Sequence, residues 1–423
     1  MLSSSNVEKR RKKYHPVADS TLKREIYTSD PANIEYILKT NFDNYGKGKL
    51  HHEVLEDYYG DGVFAVDGDK WKEQRKLSSP DFSKRVLRDV NSIIFRRNAA
   101  KLANILNEAA NSNNTVDIQL ESVCHSSKED SNRFIRAFDE VSELSFWRYI
   151  DLFWKNKKVL NVGSEAKLKR SVQIIDEVTI TVFINVDSSI VQQTKEENIL
   201  SRFWHYSTTN PKYLRDILVN FMGGGKDSTG TTLAWFIWSL CKHPLHEKVA
   251  SNIGTTISDF ASHLNEEAMD KMHYLQAVLS ETLRLYPSIP LLYGKVCFED
   301  DVLPDGFNVN KGDMVVYQPY AMGRMKYIWG DDAEEFKPER WIDENGFFKQ
   351  ESPFKFTVFQ AGPRICIGKE FAYKQMKITA AVLLRFFIFK LADESRPVTY
   401  KTKIQLHIAG GLHVRAMQRI DQN

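Results

Sequence analysis

The turn Phe359-Gln-Ala-Gly-Pro-Arg-Ile-Cys-Ile-Gly368 constrains this 423-residue chain more than any other stretch. It sets Cys366 between an arginine two residues before it and a glycine two residues after it, and a helical run begins at about Lys369. A thiol near its free pKa is a poor ligand, so such a site must stabilise the thiolate. Unpaired N–H groups at a helix N-terminus can do so, because they sit at the positive end of the helix dipole. Gly362 and Gly368 let the backbone turn sharply and approach something flat without Cβ interference. Arg364 offers a permanent, forked cation suited to a carboxylate. A thiolate, a cation for a propionate and a flat partner together describe a proximal haem ligand, whose sulfur donates electron density. The ordinary fate of a lone cysteine is inert burial, and it is the ten-residue pattern that sets this one apart.

Helical periodicity dominates the rest. Lys84–Ala110 carries Val86, Val90, Ile93, Ile94, Ala99, Leu102 and Ile105 as one apolar stripe. Tyr213–His243 reads as one long buried helix closed by Pro244, and Glu266–Leu285 and Lys369–Leu391 as two more. Short strands are expected at Glu25–Tyr27, Lys295–Phe298, Met314–Tyr317 and Ile404–Ile408. The fold class is therefore mainly α with a small β region, arranged as a basic tail over 1–22 and a single domain over 23–423.

Bulk properties exclude several classes. A net charge of +3 argues against a dedicated nucleic-acid binder. The four cysteines (Cys124, Cys241, Cys297 and Cys366) are scattered, which fits a reducing compartment better than a disulfide scaffold. No stretch reaches the roughly 18 apolar residues of a membrane span. The cluster Glu8-Lys-Arg-Arg-Lys-Lys13 lacks the apolar run of a signal peptide. It reads as a solvated tail, with contact to an anionic membrane surface as the alternative. His51-His52-Glu53 and His243-Pro-Leu-His246 lack zincin spacing and read as surface or helix-end residues. Gly223-Gly-Gly-Lys-Asp-Ser-Thr229 is no phosphate loop, since Asp227 follows Gly-Lys where Ser or Thr is needed. Three glycines inside a helix should cost about 1 kcal/mol each, so they need a reason unless the segment is a loop.

The cysteine turn resembles the cytochrome P-450 superfamily pattern Phe-x-x-Gly-x-Arg-x-Cys-x-Gly at every fixed position, Phe359, Gly362, Arg364, Cys366 and Gly368. Two further motifs follow the superfamily in the right order. Glu281-Thr-Leu-Arg284 and Phe336-Lys-Pro-Glu-Arg-Trp341 supply Glu281, Arg284 and Arg340, which the resemblance makes a buried network behind the cysteine loop. The glycine-rich segment is similar to the oxygen-activation groove, with Asp227 as the acid and Ser228 as the hydroxyl of a proton relay. Serine replaces the usual threonine and lacks the methyl that restricts χ1, so leakier coupling with peroxide release is expected. Gly223 and Gly224 stand where larger residues are common. Trp71-Lys-Glu-Gln-Arg75 is similar to a motif whose Trp71 and Arg75 would bond a haem propionate, and Lys295 takes another propionate-binding position.

The implied fold holds haem b between the long central helix and the helix of the cysteine loop, with the Cys366 thiolate as axial ligand. The run Pro353–Met376 and the segments Tyr317–Met325 and Trp329–Phe336 resemble plant fatty-acid hydroxylases of the superfamily. That resemblance implies insertion of one atom of O2 into a C–H bond of a long-chain fatty acid, terminal (ω) or in-chain. Electrons would come from NADPH through an NADPH–cytochrome reductase, drawn to a basic face of Lys72, Arg75, Lys76, Lys369 and Lys374. The resemblance places such proteins at the cytosolic face of the endoplasmic reticulum membrane. This chain lacks the family's N-terminal anchor, so a peripheral contact or a cytoplasmic location is expected. It also looks shortened between Pro16 and Glu25 and between Gln119 and Leu120, where core helices are expected to be missing and apolar faces uncovered. A second reading follows from that: a non-catalytic or misfolded shortened form that keeps the haem motifs.

Overall fold

The computed structural model describes residues 17–18, 24–121, 129–185, 211–243, 256–291 and 294–419. The basic cluster before Tyr14, Cys124, Pro244 and His246 lie outside them. The long central helix runs Pro211–Lys242 without a break, so the glycine-rich segment is helix and not loop. Helices His273–Leu285 and Lys369–Phe386 pack against its C-terminal half, and Ser92–Asn111 packs on Lys369–Phe386, in one apolar core. Trp235, Phe236 and Ile237 from the long helix, Val278 and Leu279, and Val382 to Leu384 meet there.

A five-stranded sheet lies beside this core, in the order Val17–Ala18, Arg24–Tyr27, Met314–Val316, Lys295–Cys297, Tyr45–Gly46. Ile26 pairs with Val315 in the parallel contact, and Lys295 pairs with the same Val315 in the antiparallel one. That register fixes Lys295 at the head of its strand, pointing from a buried position. The family-like strands thus form close to where the pattern put them.

Three expectations need correction. Phe387–Leu391 is not helix but a strand, paired with His413–Gln418 from Phe387↔Gln418 to Leu391↔Val414. Its apolar run fits either period, but Phe387, Phe389 and Leu391 are buried in alternation, so the sheet wins. In the Lys84–Ala110 span, a π turn over Leu87–Asn91 rotates the helix register. Phe95, Ala99, Leu102, Ala103 and Leu106 become the buried stripe, and Ile93 and Ile94 are left exposed. Glu266–Leu285 is two helices, Glu266–Asp270 and His273–Leu285, broken at Lys271–Met272. The expected deletion point between Gln119 and Leu120 falls inside the short helix Ile118–Glu121, where the Gln119 side chain pairs with the backbone of Ile408; residues 122–128 lie outside the described set.

The strand assignment is testable by side-chain truncation. Phe389→Ala should cost about 3–5 kcal/mol in urea unfolding, and Ile388→Ala less than half of that. Equal losses at the two positions would contradict the alternation.

Candidate active site

The cysteine turn is built by backbone before any cofactor is considered. Gly362 takes φ 64°, and a Cβ there would lie 1.9 Å from the Leu38 carbonyl oxygen, so only glycine fits. Gly368, by contrast, has φ −87°, and its use is space rather than conformation: an added Cβ would sit 3.9 Å from the Cys366 sulfur. The Cys366 N–H donates to the Phe359 carbonyl at 2.7 Å, closing the loop, and the helix Lys369–Phe386 starts directly after it. Phe359 packs 5.3 Å from the Tyr373 ring on that helix.

Cys366 presents exposed surface, yet protein encloses it and raises its thiol pKa by desolvation. The Gly368 N–H and the charges of Arg75 and Lys369 pull the other way. Exposure together with desolvation is what a side chain shows when it lines an internal hollow. Arg75 does not point to a free carboxylate site: its guanidinium donates to the Ile365 carbonyl at 2.6 Å, next to the cysteine.

Glu281 organises the support. Arg284 donates to both its oxygens at 2.7 Å, Arg340 Nε at 3.0 Å, Trp341 Nε1 at 2.9 Å and the Lys337 N–H at 2.7 Å. Arg284 spends its remaining donors on the carbonyls of Gly323, Ala333 and Glu335. Glu281 and Arg284 are wholly buried, so each charge is compensated at once by geometry and by number of bonds. Trp341 then carries the position onward, packing edge-on to Phe356 at 4.8 Å, three residues before Phe359. Ser280 and Tyr373, 3.0 Å apart, tie the same helix to the one after the cysteine.

On the far side of the turn three cations converge. Arg364 pairs with Asp67 at 2.6 Å and lies 4.3 Å over the Trp71 ring, while its Nε has no partner. Lys295 is 2 % exposed and its Nζ is unpartnered. Burial first, then Lys47 and Arg364, push its pKa well down. Lys47 is lowered to about 8 by burial and by Arg364, although part of its surface is exposed; like Cys366, it faces enclosed space. Among the described residues these three cations face one carboxylate, Asp67, so two of them lack a carboxylate partner. The cluster therefore fits a ligand that brings two carboxylates, and Lys47 is a member of the set that motif matching missed. His51 is another. Far from being a surface residue, it is 5 % exposed, donates from Nε2 to the Phe64 carbonyl at 3.1 Å, accepts at Nδ1 from the Tyr149 hydroxyl at 2.8 Å, and is held neutral by burial and by the three cations.

The long helix explains its glycines by what packs on them. A Cβ at Gly223 would lie 2.7 Å from the Tyr59 hydroxyl and one at Gly224 3.1 Å from Phe64, while Gly225 faces open space. Ser228 Oγ donates to the Gly224 carbonyl at 2.7 Å, and buried Asp227 accepts from Lys226 at 2.6 Å. The acid and the hydroxyl are thus engaged with separate partners. Of the basic face, Lys72 and Lys76 are exposed, whereas Lys374 is taken by Glu266 and the Leu87 carbonyl.

The chain matches the family model for Cytochrome P450 over residues 2–413. It is 45% identical to Cytochrome P450 704C1 of Pinus taeda, over 94% of this chain and 85% of the relative. It is 39% identical to Cytochrome P450 704B1 of Arabidopsis thaliana (93% and 86%) and 33% identical to Cytochrome P450 94A1 of Vicia sativa (95% and 83%). The alignment with the pine protein runs over 445 residues, more than the 423 here, so that relative has segments without a counterpart in this chain.

Two outcomes follow from the site. Glu281→Gln should destabilise by about 3–5 kcal/mol, because it leaves Arg284 and Arg340 uncompensated; a shift in the thermal midpoint near zero would contradict the network. For the cofactor-free protein, Lys47 and Lys295 have folded pKa values below their unfolded ones. The unfolded state therefore binds more protons between about 8, the lowered value of Lys47, and its ordinary 10.5. Stability should rise with pH across that window, fully gained once 10.5 is passed, and the rise should flatten in Lys47→Met/Lys295→Met. A slope equal in both proteins would count against the buried cations.

Proposed function

The chain belongs to the cytochrome P450 family and is a monooxygenase, and from that premise we propose that it hydroxylates a long-chain fatty acid at the ω or an in-chain carbon. The observation that carries the site assignment is the pairing of an enclosed thiol, Cys366, with two uncompensated positive charges at Lys47, Lys295 and Arg364. Haem b bound here supplies the activation of O2, with electrons from NADPH through a reductase. The substrate class rests on the similarity of the Pro353–Met376, Tyr317–Met325 and Trp329–Phe336 segments to plant fatty-acid hydroxylases.

The chain's own residues have four tasks. Cys366 ligates as a thiolate, with the Gly368 N–H and Arg75 favouring its charged form. Lys47, Lys295 and Arg364 hold the propionates, and the Trp71 ring supports the Arg364 guanidinium from below. Gly225, where an added Cβ would meet nothing within 4 Å, leaves room along the long helix. By the resemblance Ser228 supplies the hydroxyl and Asp227 the acid of a proton relay, for which each would leave its present partner, the Gly224 carbonyl and the Lys226 ammonium, and Asp227 would first take up a proton. A reductase would dock on the face carrying Lys72 and Lys76.

Reduction under carbon monoxide should give the strongly red-shifted Soret band of a thiolate-ligated haem. The band should vanish in Cys366→Ala, and wild type should convert a long-chain fatty acid to a hydroxylated product when reductase and NADPH are added. Soluble protein without the band would defeat the assignment. Band without product would leave the haem site standing and remove the fatty acid. In the coupled assay, Ser228→Thr should raise product formed per NADPH consumed; equal ratios would rule out a looser serine.

A further inference from the structure

Buried Asp227 needs a route to solvent. It is 1% exposed, and the Lys226 ammonium holds its carboxylate at 2.6 Å. Monooxygenation reduces one oxygen atom to water, so an acid that gives up its proton must be reloaded in every turnover. Lys226 is a poor source, because an ammonium ordinarily holds its proton roughly a million times or more tightly than a carboxylate does. For an imidazolium the ordinary factor is only about 400, and burial lowers it further.

The long helix brings one imidazole to this acid. Asp227, Thr231 and Trp235 are spaced four residues apart and so lie along one side of Pro211–Lys242. At the far end the Trp235 indole donates to the Leu406 carbonyl at 2.8 Å, which ties the strand Leu406–Ile408 to the helix. Leu406 and Ile408 are buried, whereas His407 between them is half-buried on the other face of the strand. Of the charges acting on its ring, the Asp227 carboxylate is the strongest, followed by Lys403, Asp139 and Lys226. Thr231, one turn from Asp227, is wholly buried, and its hydroxyl has no partner among the described residues.

A second helix steadies the arrangement. Ser142, on Glu129–Trp147, donates to the buried Gln405 side chain at 3.2 Å, and Glu143 lies 3.6 Å from Lys403. The same helix presents partly exposed Asp139, 3.6 Å from Lys226. The imidazole thus faces Asp227 and Lys226 from the long helix, Asp139 from its neighbour and Lys403 from its own hairpin. Those charges are two of each sign, so burial decides, and it holds the ring neutral near pH 7.

A neutral, half-buried imidazole in the field of a carboxylate can carry protons inward. We propose that His407 is the proton-loading residue of the relay, taking protons from solvent and passing them to Asp227. This rests on the reading of Asp227 and Ser228 as that relay. In the transfer a proton leaves the His407 imidazolium and the Asp227 carboxylate gains it. That cancels the ion pair with Lys226 and frees the acid to turn toward Ser228. The Thr231 hydroxyl can bridge the two by accepting one proton as it donates its own. His407 then reloads from solvent, and no electrons move. It acts through Asp227 and touches no reacting atom, so it is a positioning residue.

A pH profile separates this task from a structural one. Product formed per NADPH consumed should fall in wild type as pH rises through the His407 pKa, which lies below the ordinary 6.5. His407→Gln should lower that ratio about threefold or more at the acid end and flatten its profile, with the carbon monoxide band unchanged. A wild-type ratio and profile overturn the proposal, and so does an equal loss at every pH. A second readout needs no turnover. In the diamagnetic carbon monoxide complex, nuclear magnetic resonance should show the proton affinity of His407 falling about threefold or more in Asp227→Asn, which removes the facing charge. An unchanged His407 titration overturns the proposal. Asp227→Asn with a wild-type ratio removes the relay reading, and the proposal with it. Loss in Asp227→Asn with none in His407→Gln overturns the proposal alone.

Discussion

One carboxylate, that of Glu281, holds the reactive turn where it is. Five N–H donors from Arg284, Arg340, Lys337 and Trp341 converge on its two oxygens, in a place water does not reach. An arrangement so completely satisfied resists rearrangement, because moving any one partner strands a buried charge. Its consequence is positional. The Trp341 indole, fixed at one end by Glu281, presses on Phe356, and the chain reaches Phe359 and the cysteine turn three residues later. Gly362 against the Leu38 carbonyl and Arg75 against the Ile365 carbonyl fix the turn from its other sides.

The other side of the hollow is the opposite case, a group of charges that is deliberately incomplete. Among the described residues Lys47, Lys295 and Arg364 share only Asp67, and an unpartnered buried ammonium costs several kcal/mol. A ligand with two carboxylates removes that cost, so cofactor binding and folding stability are coupled. The cofactor-free chain is thus expected to be the weaker species, which bears directly on a protein with internal shortenings relative to its relatives.

Much of this was legible in the residues because it depends on short spacings. The cysteine turn, Glu281 with Arg284, and the long helix all came from local pattern, and the structure brings Glu281, Arg284 and Arg340 together as expected. Three kinds of feature were not legible. Phe387–Leu391 has an apolar run compatible with both periods, and only pairing with His413–Gln418 decides it. A π turn at Leu87–Asn91 shifts a helical register without any Gly or Pro to mark it. Lys47 joins the cation cluster, and the neutral His51 packs beside it, through the sheet and the Gly48–Tyr59 helix, far in sequence from Lys295 and Arg364, so no spacing could announce them. The signal that could have found them is chemical: Lys47 and Gly48 donate their N–H groups to Asp67, the one carboxylate that Arg364 uses.

The central claim is that the hollow beside Cys366 is charged to receive two carboxylates. The most direct measurement is equilibrium titration of cofactor-free protein with haem and, separately, with its dimethyl ester, which has the same ring and iron but no carboxylates. The account predicts much weaker binding of the ester to wild type, and a gap between the two ligands that closes in Lys47→Met/Lys295→Met. Equal affinity of wild type for both ligands would contradict it.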